Sequence, residues 1–283
     1  MTSEPLQRAA YSIAKRRHLH RRGVPGDPLV VFSMAKTGSS AIAAALRATE
    51  RGPVHHVHDL DPAFLDREER EYRWSGRPWR IWDAQRLLRR PATVEHPWTV
   101  VSLVREPIAQ TVSAFLQPGE RRGYVHDRTT VEDLLHRFGD RLDHLPLRWF
   151  ETHLLPALGV DVFSVPFDPE QGYQLIERPT LRLLLLRSED LAVAPAALAR
   201  LLGRREPVPV PRVNVGVDKA YGNLYEQLRA ALRPTAAQLD AAYGSRVVQH
   251  FYAHDEIDRF RTVWSGHATG QGDAPTVRGE GAR

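Results

Sequence analysis

The stretch Leu29-Val-Val-Phe-Ser-Met-Ala-Lys-Thr-Gly-Ser-Ser40, continued by Ala-Ile-Ala-Ala-Ala-Leu46, decides the fold. Four apolar residues bounded by small polar ones read as a short buried strand, and the alanine-rich run behind them reads as a helix over 39–48. A turn entering a helix at the end of a strand presents backbone N–H groups and the positive end of the helix dipole, which together favour an anion. Lys36 adds charge, Gly38 permits close approach of the main chain, and Thr37, Ser39 and Ser40 add hydroxyls. Of 39 basic residues only Lys15, Lys36 and Lys219 are lysines, so arginine is the default cation of this chain. A lysine at a motif position therefore carries weight, because a compact ammonium and a planar guanidinium are not interchangeable. The nucleoside-triphosphate loop needs G-x-x-x-x-G-K-[ST], and Val30 and Ala35 stand at both glycine positions. An ordinary βα turn is the plainer alternative for this segment.

Outward from this unit, strands are expected at 54–58, 98–104, 160–165 and 181–186, the last a continuous apolar run suited to a sheet covered on both faces. Helices are expected from Pro107, at 130–138, 144–157, 190–202, 221–232, 235–243 and 255–264, and within the charged segment 61–90 that holds Trp74, Trp79 and Trp82. Strands alternating with helices predict one α/β domain over 28–265, with a mainly parallel central sheet flanked by helices. Residues 1–27 read as a basic flexible extension, and the Gly/Ala/Arg-rich 266–283 as a disordered tail.

Composition narrows the function classes. An apolar share of 42% and a charged share of 26% over 283 residues are ordinary globular values, which excludes general disorder. The absence of cysteine excludes disulfides, thiolate metal sites and cysteine nucleophiles. No run approaches the ~18 apolar residues of a membrane span, and the amino terminus does not read as a secretory signal. A cytoplasmic location is expected. The basic run Lys15, Arg16, Arg17, Arg21 and Arg22 equals the whole net charge of +5, so a nucleic-acid-binding body is not implied. That run is open to two readings, a solvated extension or peripheral contact with an anionic membrane or polymer.

A second segment, Val100-Val-Ser-Leu-Val-Arg-Glu-Pro-Ile-Ala-Gln-Thr-Val-Ser-Ala-Phe115, places Arg105 at a strand end and Ser113 two helical turns later. A guanidinium can fork onto phosphate oxygens, and a hydroxyl can complete their shell. Together the two segments resemble the 5′-phosphosulfate loop and the 3′-phosphate element of sulfotransferases that use 3′-phosphoadenosine 5′-phosphosulfate (PAPS). Leu184-Leu-Leu-Arg-Ser-Glu-Asp-Leu191 resembles the R-x-E-D-L segment of many such enzymes. Asn214-Val-Gly-Val-Asp-Lys-Ala-Tyr-Gly-Asn-Leu-Tyr225 resembles the NKWYS segment of a bacterial, sulfotransferase-like family of capsular polysaccharide synthesis proteins. Ala220 stands where that family has tryptophan and Gly222 where it has serine, while Lys219 is retained. His250 through Trp264 looks like the closing helix of the same family. The resemblance covers about residues 28–265. It implies a P-loop-like three-layer fold, PAPS as cosubstrate without a metal, and Lys36, Thr37, Gly38, Ser39, Ser40, Arg105, Ser113 and Lys219 as its binding residues.

A hydroxyl acceptor needs a base. His55-His-Val-His-Asp59 ends the second strand, where ligands of parallel sheets gather. Alternation puts His56 and His58 on one face and His55 on the other. A similar H-x-H in polysaccharide uronyl sulfotransferases supplies the base from its second position, which implies His58, with His56 the other candidate. Metal binding by these histidines with Asp59 and Asp61 and a merely polar strand end are the competing readings. The motifs Ser33-Met-Ala-Lys36 and Lys36-Thr-Gly38 share one lysine, whereas penicillin-binding enzymes need them as separate elements. The expected activity is transfer of a sulfuryl group from PAPS to a hydroxyl, with carbohydrate as the leading acceptor class and Lys36 assisting the leaving group. The alternatives are phosphoryl transfer on the same loop, or a polysaccharide-assembly factor that keeps the fold without turnover.

Overall fold

The computed structural model describes residues 4–20, 27–72, 79–119, 123–126, 128–211 and 222–266. The chain runs through α1 (Glu4–His20), β1 (Leu29–Phe32), α2 (Ser39–Thr49), β2 (Val54–Val57), α3 (Pro62–Tyr72), α4 (Trp79–Leu87), β3 (Trp98–Val104) and α5 (Pro107–Leu116). It continues through α6 (Val131–Phe138), α7 (Leu155–Leu158), β4 (Tyr173–Arg178), β5 (Leu181–Arg187), α8 (Ala194–Leu201), α9 (Gly222–Ala231), α10 (Ala236–Tyr243), α11 (Arg246–Phe251) and α12 (His254–Ser265).

The sheet has five strands in the order β2-β1-β3-β5-β4. All neighbours are parallel except β4, which pairs antiparallel with β5. Only Pro179 and Thr180 separate β4 from β5, and a two-residue turn can close a hairpin but cannot cross over to a parallel neighbour. From β1 the chain turns to β2 on one side and later to β3 on the other. The crevice outside the carboxyl ends of β1 and β3 is therefore a topological switch point, where open α/β sheets bind ligand.

The strand side chains alternate between two cores. Leu29 and Val31, with Val101, Leu103, Leu184 and Leu186, pack on Ile42 and Leu46 of α2 and Leu198 and Leu201 of α8. Val30 and Phe32, with Val100, Leu183 and Leu185, face Leu87 of α4, Ile108 and Val112 of α5, and Tyr243 and Trp264 near the carboxyl end. Both faces are covered, so β1 is apolar at every position and β3 and β5 at most consecutive ones, with Thr99, Ser102, Arg182 and Arg187 the exceptions.

Two expectations need correction. The segment 160–165 is not a strand: the Asp161 carboxylate accepts the N–H of Phe163 and closes a single 3-10 turn over Val162–Ser164. The missing strand is β4, a half-exposed edge strand. The segment 144–157 is no continuous helix either, since a π-helical turn over Phe150–Leu154 precedes the short α7. At the amino terminus, within the expected extension, α1 folds back onto α3 and α4: Lys15 Nζ meets Glu69 of α3 at 2.6 Å and His18 Nε2 meets Asp83 of α4 at 2.8 Å. The tail 267–283, Trp74 and Lys219 lie outside the described residues.

Candidate functional site

The turn from Ser33 to Gly38 leaves β1 and enters α2 through two left-handed residues, Lys36 at φ 70° and Gly38 at φ 84°. The left-handed backbone favours glycine at 38, and a Cβ there would also crowd Leu191 Cδ1 at 3.0 Å, a contact that side chain could relieve by a small shift. No side chain caps α2 at Gly38, so its first-turn amides carry the positive end of the helix dipole unscreened by a cap.

The turn is held from outside by its carbonyls. Gln110 Nε2 donates to the carbonyl of Ala35 (2.8 Å), Arg105 Nη1 to that of Lys36 (3.0 Å) and Ser188 Oγ to that of Thr37 (2.6 Å). In a planar trans peptide the N–H points opposite to the C=O. Anchoring three successive carbonyls therefore aims the N–H groups of Lys36, Thr37 and Gly38 away from those anchors, where the first-turn amides of Ser39 and Ser40 follow. The result is a nest of amides beside the half-buried Lys36.

The two sequence segments expected to bind phosphate thus meet. Arg105 follows β3 directly, and besides Lys36 its Nη2 reaches the hydroxyl of Tyr225 on α9 at 3.4 Å. Two of the five guanidinium donors are so engaged. Glu106 caps α5, accepting from the amides of Ile108 (2.9 Å) and Ala109 (2.7 Å), the Tyr243 hydroxyl (2.9 Å) and Trp264 Nε1 (3.2 Å). Burial pushes its carboxyl up, against the pull of those four donors. Ser113 is half-buried on α5, and no hydrogen bond joins it to Arg105 among the described residues.

The third segment fastens the others. Ser188 grips the turn, Glu189 accepts the backbone N–H of Glu106 at 2.9 Å, and buried Arg187 pairs with Asp190 and, at 2.6 Å, with Glu256 of α12.

Thr37 and Ser39 are engaged differently from the expectation that their hydroxyls line the cradle. Thr37 is fully buried and its Oγ1 donates to the carbonyl of Met34 at 2.9 Å, bracing the turn from within. Ser39 Oγ lies 2.9 Å from His56 Nε2. Each still offers its amide. Ser40 sits half-buried on the first turn of α2.

His56 and His58 share one side, with ring centroids 5.0 Å apart, while buried His55 faces the α4 side near Asp83 and Arg86. His58 Nδ1 lies 2.7 Å from the carbonyl of Ser33. Burial holds the His56 imidazole down to about 3, with His58, Arg80 and Arg47 adding to the effect. Burial also lowers His58, aided by Arg80 and opposed by the Ser33 carbonyl. Asp59 is tied to the amide of Asp61 at 2.7 Å and to His153 Nε2 at 3.3 Å. Among the described residues, no three His, Asp or Glu side chains gather to hold a metal ion.

Sequence reading did not find Gln110, Tyr225 and His153. They meet their partners across 75, 120 and 94 positions respectively, separations that no local pattern encodes.

A family model described as "Putative capsular polysaccharide synthesis protein" matches residues 126–253. That is less than half of the chain. It takes in β4, β5, the Arg187–Asp190 segment and Tyr225, and leaves out the turn 33–38, Arg105 and the histidines of β2. No curated protein and no solved structure matches the chain. No helix among the described residues is long and apolar enough to cross a membrane.

Proposed function

We propose that this protein is a PAPS-dependent sulfotransferase with a P-loop-like fold, acting on a hydroxyl of a carbohydrate acceptor. One observation carries the reading: Arg105 holds the carbonyl of Lys36 while His58 holds that of Ser33, so both grip the same six-residue turn. The chain's residues fit an adenosine 3′,5′-bisphosphate body. The amides of 36–40 and the Lys36 ammonium suit the 5′-phosphate, and the remaining donors of Arg105, with Ser113 behind it, suit the 3′-phosphate. Lys219 keeps its assignment to the cosubstrate by resemblance alone.

In the transfer, His58 Nε2 takes the acceptor's hydroxyl proton as the acceptor oxygen bonds to sulfur. The bond from sulfur to the 5′-phosphate oxygen breaks in line, and Lys36 with the amide nest neutralises the charge that builds there. His56 is the weaker candidate for base because its Nε2 is already paired with Ser39. The family match supports a polysaccharide context for the acceptor.

A second reading is an assembly factor for surface polysaccharide that lacks turnover. It is favoured by a family match that omits the turn, and by Ala220 and Gly222. Thermal shift separates the readings. Adenosine 3′,5′-bisphosphate should stabilise the fold by ~2.7 kcal/mol at a hundredfold excess over Kd, and ADP with Mg²⁺ should not. Equal stabilisation by both, or by ADP–Mg²⁺ alone, removes the sulfotransferase reading. Stabilisation by the bisphosphate without transfer to any glycan supports the assembly factor.

A further inference from the structure

Helix α1 has two faces with different chemistry. Tyr11, Lys15 and His18, spaced i, i+4, i+7, point inward: Tyr11 Oη donates to Glu69 (2.8 Å), Lys15 pairs with Glu69, and His18 meets Asp83. Ile13, Arg16, Arg17 and His20, spaced i, i+3, i+4, i+7, line the outward face. Ile13 is 54% exposed in the midst of the two arginines and the histidine. Beside this face opens a cleft of about 500 Å³, with Arg16, His20 and Arg89 on its wall. Lys15 and Glu69 also line it, but as an ion pair they cancel. Arg21 and Arg22 follow directly in sequence.

We infer that the outward face of α1 docks the protein on an anionic phospholipid bilayer, with Ile13 entering the interface and Arg16, Arg17 and Arg89 meeting the headgroup phosphates. Inward, the Lys15–Glu69 ion pair ties α1 to α3 and the His18–Asp83 contact ties it to α4, so the outward face is held in place against the domain. The basic charge alone would suit an acidic polysaccharide equally. Ile13 decides for the bilayer: a polyanion gains nothing from a large aliphatic side chain centred among cations, whereas an interfacial helix buries one at the acyl boundary. Sugar rings favour aromatic faces, and the Tyr11 phenol on the cleft wall is turned inward to Glu69 and Trp82. The arginine stems can lie along the interface while their guanidinium groups stay with the headgroups. The inference is independent of the transfer chemistry.

The test is flotation of the full chain with phosphatidylcholine vesicles, with and without about 30% phosphatidylserine, at 0.1 M and 0.5 M salt. Binding should require the anionic lipid and fall sharply at the higher salt. Arg16→Gln with Arg17→Gln should weaken it roughly 25-fold, about fivefold per cation. Ile13→Ser should weaken it on the order of tenfold. All three positions are exposed, and an unchanged melting temperature certifies that the variants fold. Equal binding to neutral vesicles, unchanged binding in either variant, or binding to soluble hyaluronate with none to vesicles would overturn the inference, the last in favour of a polymer.

Discussion

His58 Nδ1 donates to the main-chain carbonyl of Ser33 across 2.7 Å. A carbonyl oxygen can only accept, so in the neutral ring the proton sits on Nδ1 and Nε2 carries the lone pair. The tautomer is thus fixed by the same turn that forms the amide nest; under the proposed function this registers the lone pair of the base to the leaving-group site. His58→Ala should lower kcat by roughly 10²–10⁴ and leave adenosine 3′,5′-bisphosphate affinity nearly unchanged. Because burial lowers the His58 imidazole, the acidic limb of kcat/KM in the free enzyme should lie below pH ~6.5. Wild-type turnover in His58→Ala would move the base elsewhere. Asp59 would be a poor successor, tied as it is to Asp61 and His153.

Lys36 and Arg105 should fail differently. Lys36→Ala removes charge stabilisation that matters most as the leaving oxygen develops its charge, and should cut kcat by on the order of 10²–10³. The 3′-phosphate carries the same charge before and during transfer, so Arg105→Ala should first weaken bisphosphate binding. Arg105 also anchors the Lys36 carbonyl, and the loosened turn should add a smaller loss in kcat. The pair shares one turn, so the double variant should be less impaired than the two effects multiplied. Steady-state kinetics and bisphosphate titrations of the three variants check this, and strict multiplication would refute the coupling.

The parts of the fold that could be read beforehand are those where local pattern and tertiary role coincide. The apolar runs of β1 and of Leu183–Leu186 in β5 are buried on both faces, as is most of β3, and the alternation in β2 separated His55 from His56 and His58. β4 was missed because Tyr-Gln-Leu-Ile-Glu-Arg carries no hydrophobic alternation: its buried positions are Gln174 and Ile176 while Tyr173 and Leu175 are half-exposed, and Val160 and Val162 are buried without being a strand. The inward face of α1 is made of tyrosine, lysine and histidine, so nothing apolar announced its docking. At the site, residue types at strand ends were legible. The direction of each hydroxyl was not: Thr37 turns inward to share the buried Met34 carbonyl with Ser33 Oγ, a contact that exists only once the turn closes.

The buried histidines make a separate prediction about acid stability. His55, His56, His58 and His250 are each lowered, with burial the leading cause. In the unfolded chain these rings titrate near ~6.5. Below that pH the unfolded state binds protons that the folded state refuses, so folding stability is full above pH ~6.5 and falls as the solution is acidified. For His56 the window runs from ~6.5 down to about 3. Inside its window each ring adds a slope of at most ~1.4 kcal/mol per pH unit, and a narrower window adds a smaller total. The melting temperature should therefore drop steadily between pH 7 and 5. His56→Gln should flatten that slope by on the order of 1 kcal/mol per pH unit, even though its own Ser39 contact is perturbed, because glutamine takes up no proton. Melting curves of both proteins at half-unit pH steps check this. The raised carboxyls of Glu106 and Glu189 act in the opposite sense, so the difference between the two proteins reads the histidine: equal slopes would show that His56 titrates alike in the folded and unfolded chain.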